Sequence, residues 1–178
     1  ELPHVVFRAL YPIPDYAYKS ALNCGVLRPE HLEPVADYLK SIKPMPAVFD
    51  KAYVKKLDGT NVKTGENKFD LAEQLRADIR KFKEENGCDR LTMVWAASTE
   101  IFLTPDPVHD TVESLEQAMR DDHPSVAPSM LYAWAALQEG VPFANGAPNL
   151  TVDIPAMVEL AARNRGPISG KEWQTAQT

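Results

Sequence analysis

No Gly-x-Gly-x-x-Gly or Gly-x-Gly-Gly run occurs in the 178 residues, and the eight glycines are dispersed. The chain therefore lacks the glycine-rich strand-to-helix turn whose backbone N–H groups cradle a pyrophosphate. No apolar run approaches the roughly 20 residues that a bilayer-spanning helix needs. The first ten residues, ELPHVVFRAL, lack the basic region and long apolar stretch of a signal peptide. Basic charge is not in excess: the formal net charge is −6, which argues against nucleic acid or an anionic membrane as an electrostatic partner. The densest basic stretch, Lys51 to Lys63, is broken by Asp58 and reads as a solvated face. Cysteine is scarce: Cys24 and Cys88 have no metal-ligand spacing with His4, His31, His109 or His123. Two free thiols in a reducing cytoplasm are expected, with one disulfide as the alternative. No repeat, low-complexity tract or Pro/Gly/Ser linker divides the chain, so one domain is expected, with a helical excursion over 29–67.

At 44% hydrophobic and 25% charged residues, the composition is that of a globular protein with a packed core. The pattern along it alternates. His4 to Ala9 suits a strand running into the breakers Pro12 and Pro14. Tyr16 to Cys24 suits a short helix closed by Gly25. Pro29 to Ser41 has helical spacing, with Leu32, Val35, Ala36 and Leu39 on one face, and the Lys43-Pro44-Met45-Pro46 run stops it. Ala47 to Leu57 is ambiguous.

Phe69 to Asn86 is the clearest helix, with Leu71, Leu75, Ile79 and Phe82 as its apolar stripe and Gly87 at its end. Arg90 to Ala96 reads as a buried strand. A proline-punctuated loop follows, then a helix capped by Asp110 or Thr111 and running to about Arg120. Pro128 to Leu137 is apolar nearly all round and is expected to be buried. Val141 to Ala144 reads as a strand and Asn145 to Asn149 as a turn. A further helix is capped by Asp153, with Pro155 in its first turn, and Pro167 to Ser169 suits a last strand. The order implies an α/β, Rossmann-like doubly wound sheet, mainly parallel, with helices on both faces.

Two strand ends carry the chemistry. Trp95-Ala96-Ala97-Ser98-Thr99-Glu100 and Gly140 to Thr151 (GVPFANGAPNLT) each end an apolar run in small residues. In open α/β sheets ligands lie beyond the carboxyl ends of the strands, where small side chains let the backbone approach. Ser98 and Thr99 add hydroxyls suited to a ribose or phosphate. Each motif also has a plain explanation: a local hydroxyl cap for the first, a tight Asn-Gly turn for the second. The acids Asp106, Asp110, Glu113 and Glu116 show no convergent metal spacing. His109 is either a solvated loop residue or a general base. Trp95, Trp134 and Tyr132 read as core bulk.

Several segments resemble one family. LKSIKPMPAVFD (Leu39 to Asp50), WAASTE, APSMLYA (Ala127 to Ala133), EGVPFANGAPNLT and the closing GKEWQTAQT are similar to myo-inositol-1-phosphate synthase, particularly its bacterial branch. The match extends over essentially the whole chain and covers the middle of that family's polypeptide. The resemblance implies that the chain is an interior piece: the family's glycine-rich NAD loop would precede it, and the lysine-rich catalytic and oligomerising sheet would follow. It also implies a cytoplasmic homo-oligomer that uses tightly bound NAD to convert glucose 6-phosphate to 1L-myo-inositol 1-phosphate. Oxidation, aldol cyclisation and reduction follow in sequence, supplying inositol and phospholipid synthesis. No activity is expected of these 178 residues alone.

Carried over by position, the resemblance assigns Ala96, Ala97, Ser98 and Thr99 to the dinucleotide. It adds Gly146 and Ala147 of the Asn-Gly-Ala turn, Val48 after the KPMP stretch, Asp58 and Asn61 in a contact loop, and Glu172 and Thr175 of the closing run. No catalytic or metal-ligating residue is assigned. The chain departs from the family at both ends. Gln174 and Ala176 replace a lysine and a glycine, and Arg8 to Tyr11 replace a Gly-Gly-Trp-Asp-like loop, with Tyr11 at the cofactor-facing aspartate. Those departures leave a second reading open: a divergent or excised, non-catalytic α/β scaffold.

Overall fold

The computed structural model describes residues 4–171. They fall into two compact units, one of residues 4–49 and 58–63, the other of 50–57 and 64–171.

In the first unit, α1 (Ala17–Cys24) ends at Gly25, whose φ of 66° closes the helix in the left-handed conformation. The helical pattern from Pro29 does not run on as one helix. It divides into α2 (Pro29–Leu32), a 3-10 turn (Glu33–Val35) and α3 (Ala36–Ser41). Pro34 is the cause, because it has no N–H to continue the ladder. The break shifts the phase: Leu32 and Ala36 are buried, while Val35, expected inside, is 45% exposed. His4 to Ala9 forms no strand; Leu10 makes a single parallel bridge to Met45. A second bridge joins Ala47 to Val62, and the Asn61 side-chain amide donates to the carbonyls of Tyr11 (2.9 Å) and Met45 (3.1 Å). Buried Ala47 and Val48 complete this knot.

The second unit holds the main core. Helix α4 (Lys68–Glu85) starts where Asn67 Oδ1 accepts from the N–H of Asp70 and buries Ala72, Leu75 and Ile79. Thr111 and Ser114 form a reciprocal cap on α5 (Val112–Arg120), whose Val112, Leu115, Ala118 and Met119 face inward. Helix α6 (Pro128–Gln138) is buried along its whole length up to Leu137, as an all-round apolar sequence requires. It packs against α4, α7 (Pro155–Asn164) and strand β2. The cap of α7 is Ile154, not Asp153. The Asp153 carboxylate instead accepts from the Thr151 N–H (3.0 Å) and from Lys171 (2.8 Å).

Three parallel strands, β1 (Met93–Trp95), β2 (Phe143–Asn145) and β3 (Ile168–Ser169), lie in that order. The register aligns Met93 with Phe143 and Ile168, Val94 with Ala144 and Ser169, and Trp95 with Asn145. This is the Rossmann-like α/β architecture expected. One detail differs. Among the described residues β1 pairs on one side only, so it is an edge of the three strands and not a buried strand, and Val94 is 48% exposed. Phe143, in the central strand, is buried against the helices.

Lys68 fastens the 50–57 segment within this unit. Its ammonium donates to the Tyr53 hydroxyl (2.9 Å) and to the carbonyls of His123 (2.6 Å) and Val126 (2.9 Å), while the Tyr53 hydroxyl donates to Pro124 (2.8 Å). Burial, with Asp50, Glu100 and Asp122 nearby, pushes the Tyr53 hydroxyl up to about 12. Burial also draws Lys68 below the usual lysine range.

Candidate functional site

Parallel pairing puts the carboxyl ends of β1 and β2 side by side. Beyond Trp95 the chain turns into Ala96, Ala97, Ser98 and Thr99, all exposed. Beyond Asn145 it turns into Gly146 and Ala147. The Gly146 N–H donates to the Trp95 carbonyl at 2.9 Å, and the Glu100 N–H donates to Asn149 Oδ1 at 3.0 Å. The two loops are thus tied at both ends, and the small-residue segments predicted from the sequence meet.

The second loop is rigid for a local reason. Asn145 Oδ1 accepts from the Ala147 N–H at 3.1 Å, an Asx turn, and Asn145 Nδ2 donates to the Asn149 carbonyl at 3.4 Å. The turn puts Ala147 in the interior, 4% exposed, so its side chain supports the loop from beneath while Gly146 remains half-buried. Gly170 presses on the same place from β3. Its φ is +90°, and a Cβ there would meet the Asn145 carbonyl oxygen at 2.1 Å, so only glycine fits.

Beneath the first loop lies a residue to which the sequence reading gave no role. Glu100 is 6% exposed, and its carboxyl accepts from the Ser129 N–H (2.9 Å) and the Ser129 hydroxyl (2.6 Å). Ser129 has one hydroxyl proton, which goes to Glu100, so Thr151 must donate its own to Ser129 Oγ across the 2.8 Å contact. The carboxyl occupies the start of α6, whose N-cap, Ala127, offers no side-chain acceptor. Burial pushes Glu100 above the usual carboxylate range, against the opposing pull of Ser129. Ser129 stands 29 positions from Glu100 in the sequence and Thr151, its own partner, lies further on, so nothing local signals such a pairing.

Two buried donors near these loops find no acceptor among the described residues: Asn149 Nδ2 and Trp95 Nε1. Groups left so are costly and are normally satisfied by something bound or by the fold. Asn149 supplies its oxygen to the Glu100 N–H, so its amide nitrogen is the donor left over.

The other predicted positions are as follows. Val48, Asp58 and Asn61 belong to the first unit. Val48 is buried, Asp58 is exposed, and the Asn61 amide is engaged with the backbone of Tyr11 and Met45. Arg8 is exposed, and Tyr11 takes part in that knot through its backbone. Glu172 and Thr175, with Gln174 and Ala176, lie outside the described residues. His109 is neither solvated nor poised as a base. It is fully buried, accepts at Nδ1 from the Asp106 N–H (3.1 Å) and meets the Ser125 carbonyl at Nε2 (2.9 Å), so Nε2 carries the proton. Trp134 and Tyr132 are core residues, as expected. Cys24 and Cys88 are free thiols. Among the described residues no three His, Cys, Asp or Glu side chains group to hold a metal, and no helix is long and apolar enough to cross a membrane.

Loops beyond adjacent carboxyl ends of parallel strands mark the ligand-binding class of open α/β domain. Within that class the chain belongs to the myo-inositol-1-phosphate synthase family, whose NAD-binding model matches residues 13–176. It is 45% identical to inositol-3-phosphate synthase 1 of Bacteroides thetaiotaomicron, over all of this chain and 42% of that protein. It is 39% identical to the inositol-3-phosphate synthase of Trypanosoma brucei brucei, over 80% of this chain and 28% of that protein. The crystal structure of inositol-3-phosphate synthase from Caenorhabditis elegans superposes with a TM-score of 0.91 at 27% identity, covering 97% of this chain and 34% of that one. The chain thus spans less than half the length of these relatives. NAD is the cofactor of the family.

Proposed function

We propose that this chain supplies part of the NAD-holding domain of an inositol-3-phosphate synthase, with the dinucleotide lying over Ala96 to Thr99 and Gly146. The observation that carries this reading is the joining of the two small-residue loops by the Gly146–Trp95 and Glu100–Asn149 hydrogen bonds. When bound, NAD supplies a hydride acceptor and returns the hydride later. The chain's own residues bind and orient. Ala96, Ala97 and Gly146 expose main chain, and the Ser98 and Thr99 hydroxyls offer donors to ribose or phosphate oxygens. Glu100, Ser129 and Thr151 hold the loop from below. Ala147 acts through the turn it fixes, and Val48, Asp58, Asn61, Glu172 and Thr175 are proposed as further contacts by family position. The leftover Asn149 donor suits a site that receives an acceptor.

The full reaction on this reading is conversion of glucose 6-phosphate to 1L-myo-inositol 1-phosphate in a cytoplasmic homo-oligomer, and it belongs to the longer polypeptide. A thermal melt tests the chain's own share. NAD should raise the melting temperature of the 178-residue chain by mass action, and Ala97→Glu, an exposed change, should remove the shift without changing the melt in buffer. An identical NAD-induced shift in both proteins would overturn the placement. A melt indifferent to NAD in the unaltered chain would favour the scaffold reading.

A further inference from the structure

A second concavity lies at the opposite, amino ends of the strands. It encloses about 490 Å³ and is entered by the connections leading into β1, β2 and β3, with Pro142 and Pro167 in its wall. Six charged side chains line it: Arg80, Lys83, Asp89, Arg90, Glu139 and Arg165. Glu139 is engaged already, accepting from Arg76 (2.8 Å) and from Arg80 (2.6 and 2.8 Å). No ion pair among the described residues holds Lys83, Arg90 or Arg165, and Asp89 alone stands against them. The concavity is therefore cationic in a chain whose net charge is −6.

Dipole compensation explains part of this charge, since helix carboxyl ends favour cations and Lys83 lies in the last turn of α4. It does not explain Arg90, which lies beyond that helix in the connection to β1. Nor does it explain the backbone of Arg165. That residue ends α7 at φ 53°, a left-handed position that the chain fills with glycine after α4 (Gly87, φ 58°) and after α6 (Gly140, φ 66°). Arginine there carries a steric cost that glycine would not, and it sets a guanidinium at the rim.

We infer that this concavity binds a small phosphate-bearing anion, held by Lys83, Arg90 and Arg165, as a site separate from the loops at the carboxyl ends. The size suits a diphosphate with a small organic group, and the guanidinium forks suit phosphate oxygens. A ligand here would act on the sheet from below and would not compete for the Ala96–Thr99 loop.

Inorganic pyrophosphate is the probe. Titrated into the 178-residue chain at low salt and followed by amide chemical shifts, it should saturate below ~1 mM and shift residues 89–92, 140–142 and 165–167. Added salt should weaken it. Arg90→Gln combined with Arg165→Gly should weaken binding roughly tenfold or more. Arg165→Gly should by itself raise the melting temperature, which separates binding from stability. Gly146→Val should leave pyrophosphate binding unchanged, so failure of the NAD site would not be mistaken for failure here. Absence of saturation up to ~10 mM, unaltered affinity in the double variant, or shifts confined to residues 96–99 would overturn the inference.

Discussion

The N–H of Gly146, one residue beyond β2, donates to the carbonyl of Trp95, the last residue of β1, across 2.9 Å. That bond continues the parallel ladder past Trp95–Asn145 and fixes the distance between two loops, joining residues 51 positions apart in the sequence. The same loops close again at Glu100 and Asn149. Small side chains in such a frame leave the main chain reachable while the frame itself stays rigid.

Glu100 should show its strain through pH. Its carboxyl is pushed above the usual carboxylate range by burial. The folded state therefore holds the proton more tightly than the unfolded chain does. Its stabilising contribution is complete below the unfolded value and declines as pH rises through the folded one. Glu100→Gln keeps both contacts with Ser129 and carries no charge. Its stability relative to the unaltered chain should rise as pH increases above the usual carboxylate range. Glu100→Ala strands the Ser129 donors and should cost about 2 kcal/mol at low pH, with the cost shrinking as pH rises. Urea melts of the three proteins at several pH values check both statements; a pH-independent difference for Glu100→Gln would contradict the first.

Gly170 is held between its own left-handed backbone and the Asn145 carbonyl, which a Cβ would meet at 2.1 Å. Gly170→Ala should destabilise by about 2–4 kcal/mol and should disturb the Asn145–Ala147 turn first. Loss of amide protection at Ala147 ahead of α6, measured by hydrogen exchange, is the expected signature.

The Lys68 clip can be taken apart in two steps. Lys68→Met keeps the aliphatic stem and removes three hydrogen bonds, leaving the carbonyls of His123 and Val126 without their donor. About 2 kcal/mol should be lost. Tyr53→Phe loses only the bond to Pro124 and one Lys68 contact, and should cost about 1 kcal/mol. In the double variant the losses should fall short of additive, because the two residues share a bond.

Much of the architecture was legible because it rests on local rules. The stripe on α4, the all-round apolar α6, the Thr111 cap and the glycine ends need only near neighbours. What failed depended on distant ones. Val35 turned outward because Pro34 broke a helix whose apolar spacing looked continuous. His109 went inside because the Asp106 N–H donates to its ring and the Ser125 carbonyl accepts from it. His4 to Ala9 has strand-like residues but only the single Leu10–Met45 bridge beside it. In the two loops, the small residues were visible as a motif; the carboxyl beneath them was not, since Glu100 finds Ser129 29 positions away. The burial of Ala147 beneath Gly146 was likewise hidden, because the Asx turn at Asn145 sets it.

Calorimetric titration of the 178-residue chain with NAD, repeated on Gly146→Val, tests the central claim most directly. The account predicts saturable heat in the unaltered chain, weaker than in a site with a full phosphate-cradling turn, and none in the variant, whose melt remains cooperative. Equal affinity in the two proteins, or no heat from the unaltered chain at ~5 mM NAD, would contradict it.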